Sequence, residues 1–96
     1  MKSLSLRPKA LEDFDGIWLH IAQDNMQAAD ALIDHFEEIF QTLCHTPFIG
    51  LACPQLASDI RRFPSRGYVV FYSVENDFLI IERILHGARD MEALFE

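Results

Sequence analysis

Long hydrophobic runs are missing from this chain of 96 residues. No apolar stretch approaches the roughly 20 residues needed to span a bilayer. The N-terminal alternation of Ser and Leu also lacks the continuous apolar segment of a secretory signal. We therefore expect no membrane partner and a cytoplasmic location. Cysteine is scarce as well, and without an export signal we expect Cys44 and Cys53 to be reduced thiols.

Residue patterns that bind metals or cofactors are equally scarce. Cys44, His45 and Cys53 lack a fourth ligand at a recognised spacing, so we predict no metal site. The P-loop and the dinucleotide fingerprint are both absent. No serine or cysteine forms a recognisable motif with a histidine and a carboxylate. The sequence therefore predicts no cofactor and no nucleophilic enzyme.

Lysine and arginine are absent between Lys9 and Arg61, and the formal net charge of the whole chain is −7. Nucleic-acid affinity depends mainly on neutralising phosphates, which an acidic domain does not do globally. Direct binding to nucleic acid is therefore disfavoured, and a basic or mixed protein partner is the natural complement. The acidic residues of this stretch are Glu12, Asp13, Asp15, Asp24, Asp30, Asp34, Glu37, Glu38 and Asp59.

Residue periodicity predicts an α+β protein. Alternation over residues 3–6 predicts a strand, and apolar residues at helical spacing predict one helix over about 9–23. A second helix, capped by Asp24 or Asn25, is expected to run to about 43 or 44. So short a link favours an antiparallel helical hairpin over about 9–44. A loop over 48–54 would then lead to a sheet over about 56–86.

The sheet is expected to be centred on residues 68–86, where two β-branched and aromatic runs flank a polar turn. If Asn76 and Asp77 are the central turn residues, both tolerate positive φ. The resulting register pairs Val70 with Arg83, Tyr68 with Leu85, and Phe71 with Glu82. Together the elements predict one domain over 1–96, with a helical hairpin packed on a small antiparallel sheet and a short C-terminal helix over 91–96.

The helical stripes are rich in aromatic side chains, and two interpretations stay open. The rings either cover the sheet as core residues, or they form a partly exposed groove for a partner helix. These four residues are therefore candidates for a partner-binding groove: Phe14, Trp18, Phe36 and Phe40.

A cationic cluster is the other candidate site, and two interpretations stay open here as well. The side chains could clamp a phosphate, with His86 as a general acid. Alternatively, the arginines pair with neighbouring acids or with an acidic partner. The cluster consists of Arg61, Arg62, Arg66, Arg83, His86 and Arg89.

Several strings resemble the ParE branch of the RelE/ParE toxins, the toxin halves of toxin–antitoxin operons formerly called plasmid stabilisation proteins. The most specific is Arg-Ile-Leu-His-Gly-Ala-Arg-Asp over 83–90. The others are Ile-Ala-Gln-Asp-Asn over 21–25, Ala28-Ala29, Pro47 with Gly50, Arg62-Phe63, and 68–72. The resemblance covers essentially the whole chain and implies the fold just described.

The resemblance also implies a function: a toxin that forms a hetero-oligomer with its antitoxin and inhibits DNA gyrase by binding it, without catalysis. Arg83, His86, Arg89 and Asp90 are then candidates for contacting the target or partner. One alternative is a ribosome-dependent mRNA interferase of RelE type, using Arg61, Arg62, Arg83 and His86. A ribonuclease subgroup follows this His with Tyr and faces it with Arg, whereas Gly87 and Tyr72 stand here. A second alternative is an inactive relative that only binds antitoxin.

Overall fold

A computed structural model describes residues 1–57 and 59–87. The strands are β1 (Ser3–Leu6), β2 (Leu51–Ala52), β3 (Ile60–Ser65), β4 (Tyr68–Val74) and β5 (Phe78–His86), and the helices are α1 (Pro8–Ala22) and α2 (Met26–His45). The α+β prediction is confirmed, with each helix within a few residues of its predicted bounds. The predicted C-terminal helix over 91–96 lies outside the described residues. No helix among the described residues is long and apolar enough to cross a membrane.

The five strands form one mixed sheet in the order β1-β5-β4-β3-β2. The prediction of an antiparallel sheet is wrong at one position, because β1 lies parallel to β5, with Leu4 opposite Leu79. Side-chain alternation fixes the face that a strand buries but not its direction. The two-residue strand β2 replaces part of the predicted loop and pairs with Arg61 and Arg62. A strand of two residues is too short to show the alternation of apolar and polar side chains from which strands are predicted.

The β4–β5 hairpin has its turn at Asn76 and Asp77, as predicted, with the Glu75 N–H donating to the Phe78 carbonyl at 2.9 Å. Neither turn residue has a positive φ; that conformation occurs instead at Arg66 and Gly67, in the β3–β4 turn, with φ values of 52° and 82°. Two central residues with positive φ suit the twist of a tight hairpin.

The predicted register holds only near this turn, where Tyr72 is opposite Ile81. Beyond it Phe71 is opposite Arg83, which leaves Glu82 as an extra residue in β5. The predicted partners of Val70, Tyr68 and Phe71 are therefore wrong by one residue. A bulge of this kind shifts every later pair without changing the apolar pattern around it. The observed pairs beyond the bulge are Phe71 with Arg83, Val70 with Ile84, Val69 with Leu85, and Tyr68 with His86.

The helices cover one face of the sheet. Asn25 caps α2 by accepting a hydrogen bond from the Ala28 N–H at 3.0 Å. The main core, between the helices and the sheet, includes Phe36, Phe40 and Cys44. A smaller core on the opposite face contains Cys53, Phe71 and Leu85. Cys44 and Cys53 are both buried free thiols, and they lie in different cores.

Candidate functional site

A groove of about 880 Å³ lies where α1 and α2 meet β1. Its apolar walls come from Leu4 and Leu6 on β1, Leu11 and Phe14 on α1, and Phe40 on α2. Leu4 and Leu11 are exposed, at 37% and 49% of their maximum accessible surface. The remaining lining residues are polar and all come from α2: Asp34, Glu37, Glu38, Gln41 and Thr42. The groove is therefore an apolar trough with an acidic margin.

The four predicted groove aromatics do not act together. Phe14 and Phe40 line the groove, with ring centroids 5.9 Å apart. Phe36 is fully buried and packs on Tyr68, which fits the core interpretation and corrects its assignment to an exposed groove. Trp18 joins the helices, its indole N–H donating to Asp30 Oδ1 at 2.8 Å. Sequence reasoning missed the three leucines, because a single exposed leucine carries no signal by itself.

Arg61 is bound to the loop that follows α2. Its Nη1 donates to the carbonyl of Gly50 at 2.8 Å and to that of Phe48 at 3.4 Å. The guanidinium carbon lies 5.0 Å from the centroid of the Phe48 ring, within cation–π range. These contacts place the Arg61 guanidinium at the edge of the sheet near β2.

Arg83 is held by α1 rather than by Glu82. Its Nε and Nη2 donate to the two carboxylate oxygens of Asp13 at 2.7 and 3.0 Å. Asp13 also accepts the backbone N–H of Ile84 at 3.0 Å, beside the bulge. Both side chains are largely shielded, with 27% and 15% of their surface exposed. Glu82 instead binds Ser73 and Arg7.

His86 lies at the far end of β5, on the face covered by the helices. Its ring stands edge-on to Tyr68, with the centroids 5.3 Å apart. Tyr68 stands edge-on to Phe36, at 5.5 Å. The imidazole is thus part of a row of three rings, each edge-on to the next.

The four candidate interferase residues are spread over β3 and β5, the two neighbours of β4. Arg61 pairs with Tyr72 and His86 with Tyr68, positions four residues apart along β4, or about 13 Å. Arg62 and Arg83 flank Phe71 from opposite sides, so their backbones are two strand spacings apart, about 10 Å. A general acid and its cationic clamp need to meet within hydrogen-bond distance of one substrate. The described side-chain contacts hold the Arg61 guanidinium at the Phe48 and Gly50 carbonyls and the Arg83 guanidinium at Asp13, so these two cations lie at different places on the sheet.

Tyr72 fixes the same loop as Arg61. Its hydroxyl donates to the Pro47 carbonyl at 2.8 Å and accepts the Gly50 N–H at 2.9 Å. Burial raises the pKa of the Tyr72 phenol, while the Gly50 hydrogen bond and the charge of Arg61 lower it by less. Burial likewise raises the pKa of the Cys44 thiol, against a smaller opposite effect of the N-terminal charge. A thiol with a raised pKa is a poor nucleophile, so Cys44 is a packing residue.

A family model described as "ParE toxin of type II toxin-antitoxin system, parDE" matches residues 4–91. The chain belongs to the ParE toxin family. No curated protein sequence is significantly similar to this ParE toxin. A solved structure described as "Chromosomal ParDE TA system from P. aeruginosa" has a TM-score of 0.74 and 21% identity, covering 90% of this chain and 96% of that one. At that identity the likeness establishes the shared fold.

Two of the four residues predicted to contact the target or partner of this ParE toxin lie within the part of the chain that the structure describes. Arg83 is paired with Asp13, and His86 packs on Tyr68. Arg89 and Asp90 lie outside the described residues. The use of these four residues in partner or target contact stays a prediction.

Proposed function

We propose that this chain is the toxin of a ParDE-type pair: a cytoplasmic protein that inhibits DNA gyrase by binding it and is neutralised by a cognate antitoxin. Membership of the ParE family supports the pairing. The spread of Arg61, Arg62, Arg83 and His86 over two strands supports the proposal that the toxin acts by binding and not by cleaving RNA. The formal net charge of −7 favours a protein over a nucleic acid as the partner.

The antitoxin is proposed to bind in the groove between β1, α1 and α2. A helix with a leucine-rich face fits the apolar walls, as in other helix-in-groove complexes. Lysine or arginine at its margins would complement Asp34, Glu37 and Glu38. We expect the two proteins to form a stable hetero-oligomer.

The target is tested by measuring supercoiling by purified gyrase with increasing amounts of free toxin. We expect inhibition that is reversed when the antitoxin is added in slight excess. Unchanged supercoiling at a large excess of folded toxin would count against gyrase as the target. Transcript cleavage on ribosomes that disappears in His86→Ala would favour the interferase alternative instead. Strong antitoxin binding without growth arrest on induction would favour an inactive relative.

The groove is tested with a matched pair of substitutions on α1. Leu11 lines the groove, whereas Leu19 is 58% exposed and does not line it. Leu11→Ser should weaken antitoxin affinity about tenfold or more, because one buried leucine is worth about 1.5–3 kcal/mol. Leu19→Ser should leave the affinity within about twofold. Equal effects of the two substitutions in calorimetric titrations would place the antitoxin elsewhere.

A further inference from the structure

A second apolar surface lies at the opposite edge of the sheet from the groove. Phe48, Ile49 and Leu51 are 64%, 44% and 58% exposed and are nearly consecutive in the chain. We call these three residues, with Arg61 and Arg62 of the adjoining strand, the Phe48 surface. It wraps around the edge of the sheet: Arg61, beside Phe48, lies on the face covered by the helices, and Arg62, opposite Leu51, lies on the other face. The groove is built on β1 and this surface on β2, the two outermost strands. A partner seated in the groove would therefore leave the Phe48 surface open.

The exposed side chains of this surface are held in place from beneath. The Tyr72 hydroxyl bridges the Pro47 carbonyl and the Gly50 N–H, and Arg61 Nη1 binds the Gly50 carbonyl. Gly50 packs so tightly that a Cβ atom there would lie 2.8 Å from the Arg62 carbonyl oxygen. Apolar side chains presented by a loop fixed in this way lose little conformational freedom on binding. Rigid, exposed aromatic and aliphatic groups are typical of binding hot spots.

The charge of the Phe48 surface is opposite to that of the groove margin. Neither Arg61 nor Arg62 forms an ion pair with a described residue. Arg62 Nε is buried and has no hydrogen-bond partner among the described residues. Asp59 lines a small cleft with Phe48 and Arg61 but forms no ion pair with either arginine. A second copy of the chain would bring like charges together, whereas an acidic partner would complement them.

We infer that the Phe48 surface is the face with which this toxin engages its target. The inference rests on the proposed function. The complementary site on gyrase would be a cleft that receives this edge, with one apolar wall against Phe48 and the other against Leu51, and with carboxylates that pair with Arg61 and Arg62 on the two sides. Target binding and antitoxin binding would then use opposite edges of one sheet.

The test compares Phe48→Ser and Leu51→Ser with a control, Leu19→Ser. Leu19 is also an exposed apolar residue, but it lies on α1, away from the Phe48 surface. Three properties are measured for each purified toxin: inhibition of gyrase supercoiling, affinity for the antitoxin, and mass by sedimentation. We expect each loop substitution to raise the half-inhibitory concentration about tenfold, and the double substitution to raise it further. Leu19→Ser should inhibit like the wild type. Antitoxin affinity should stay within about twofold throughout.

Different failures have different consequences. If the wild-type toxin does not inhibit gyrase, the proposed function and this inference both fall. If the wild type inhibits and the loop variants inhibit equally well, only the inference falls. Loss of antitoxin affinity in Phe48→Ser, or a wild-type dimer that becomes a monomer, would assign the surface to the antitoxin or to a second copy. Loss of inhibition in His86→Ala but not in the loop variants would move the target contact to the end of β5.

Discussion

Tyr72 shows how one buried hydroxyl shapes a distant surface. The ring lies in the main core with no exposed area, while its oxygen reaches the loop after α2 and holds both ends of the Pro47–Gly50 turn. The phenol therefore fixes the backbone on both sides of the exposed Phe48. The apolar ring and its polar tip serve two different parts of the fold.

Tyr72→Phe should destabilise the protein by about 1–3 kcal/mol, because it leaves the Pro47 carbonyl and the Gly50 N–H without their partner. Urea denaturation followed by circular dichroism measures the change. Tyr68→Phe is the control, since its ring packs edge-on between Phe36 and His86 and this contact is kept. A loss from Tyr72→Phe no larger than the control's would mean that the loop does not depend on this hydroxyl.

The raised pKa of Tyr72 predicts a pH dependence with a definite sign. The folded state binds the phenolic proton more tightly than the unfolded chain, whose tyrosine pKa is about 10. Stability should therefore be unaffected by this group below pH of about 10 and should fall as the pH rises toward the folded pKa. The difference between wild type and Tyr72→Phe isolates the effect from other groups. The stability advantage of the wild type should shrink above about pH 10 and stay constant below it.

Substitution by alanine should change the stability of the protein in opposite directions at Gly16 and Gly50. A Cβ at Gly16, inside α1, would meet nothing within 4 Å, whereas one at Gly50 would meet the Tyr72 side chain and the Arg62 carbonyl. Gly16→Ala should stabilise the protein by about 0.5–1 kcal/mol, since glycine in a helix carries an entropic cost. Gly50→Ala should destabilise it. Thermal unfolding measures both, and a destabilising Gly16→Ala would show that α1 needs that space.

Among the secondary-structure elements, the contact between α1 and β5 shows where sequence reasoning stops. The runs of β-branched and aromatic residues predicted the hairpin and its turn at Asn76 and Asp77. They did not predict the bulge at Glu82, because an extra residue leaves the surrounding pattern intact. The partner of Arg83 was equally hidden, since Asp13 is 70 residues away in the chain. Local patterns predict elements, and long-range polar pairs decide how those elements dock.

Asp13→Ala should loosen that docking. It removes the two carboxylate oxygens that accept hydrogen bonds from Arg83, one of which also accepts the Ile84 N–H. We expect a loss of about 1–3 kcal/mol. Asp13→Asn should lose less, because the amide oxygen still accepts the N–H. Asp15→Ala is the control: Asp15 is exposed on the same helix, and its loss should change stability by less than about 0.5 kcal/mol. Equal effects at 13 and 15 would show that the pair is not structural.

For the molecule as a whole, the order of the strands decides what is exposed. The sequence predicted an acidic middle and an arginine-containing C-terminal third, but not the edge of the sheet to which each belongs. Folding places β1 with the acidic α2 at one edge, and β2 with Arg61 and Arg62 at the other. Two of the four predicted groove residues, Phe14 and Phe40, line the groove, whereas Phe36 and Trp18 have other partners within the fold that periodicity cannot reveal.

The acidic groove margin predicts how antitoxin binding responds to salt, given the proposed site. Exposed ion pairs are worth roughly two- to threefold each, so three carboxylates should contribute roughly tenfold at low ionic strength. Most of this contribution should be lost as salt approaches 1 M, where the screening length falls to about 3 Å. Glu37→Gln and Glu38→Gln should each reduce the slope of log affinity against log salt concentration. Asp24→Asn is the control: it changes the net charge equally but lies outside the groove, so it should reduce the slope less. A common slope for the three variants in calorimetric titrations would mean that net charge, not the groove margin, attracts the antitoxin.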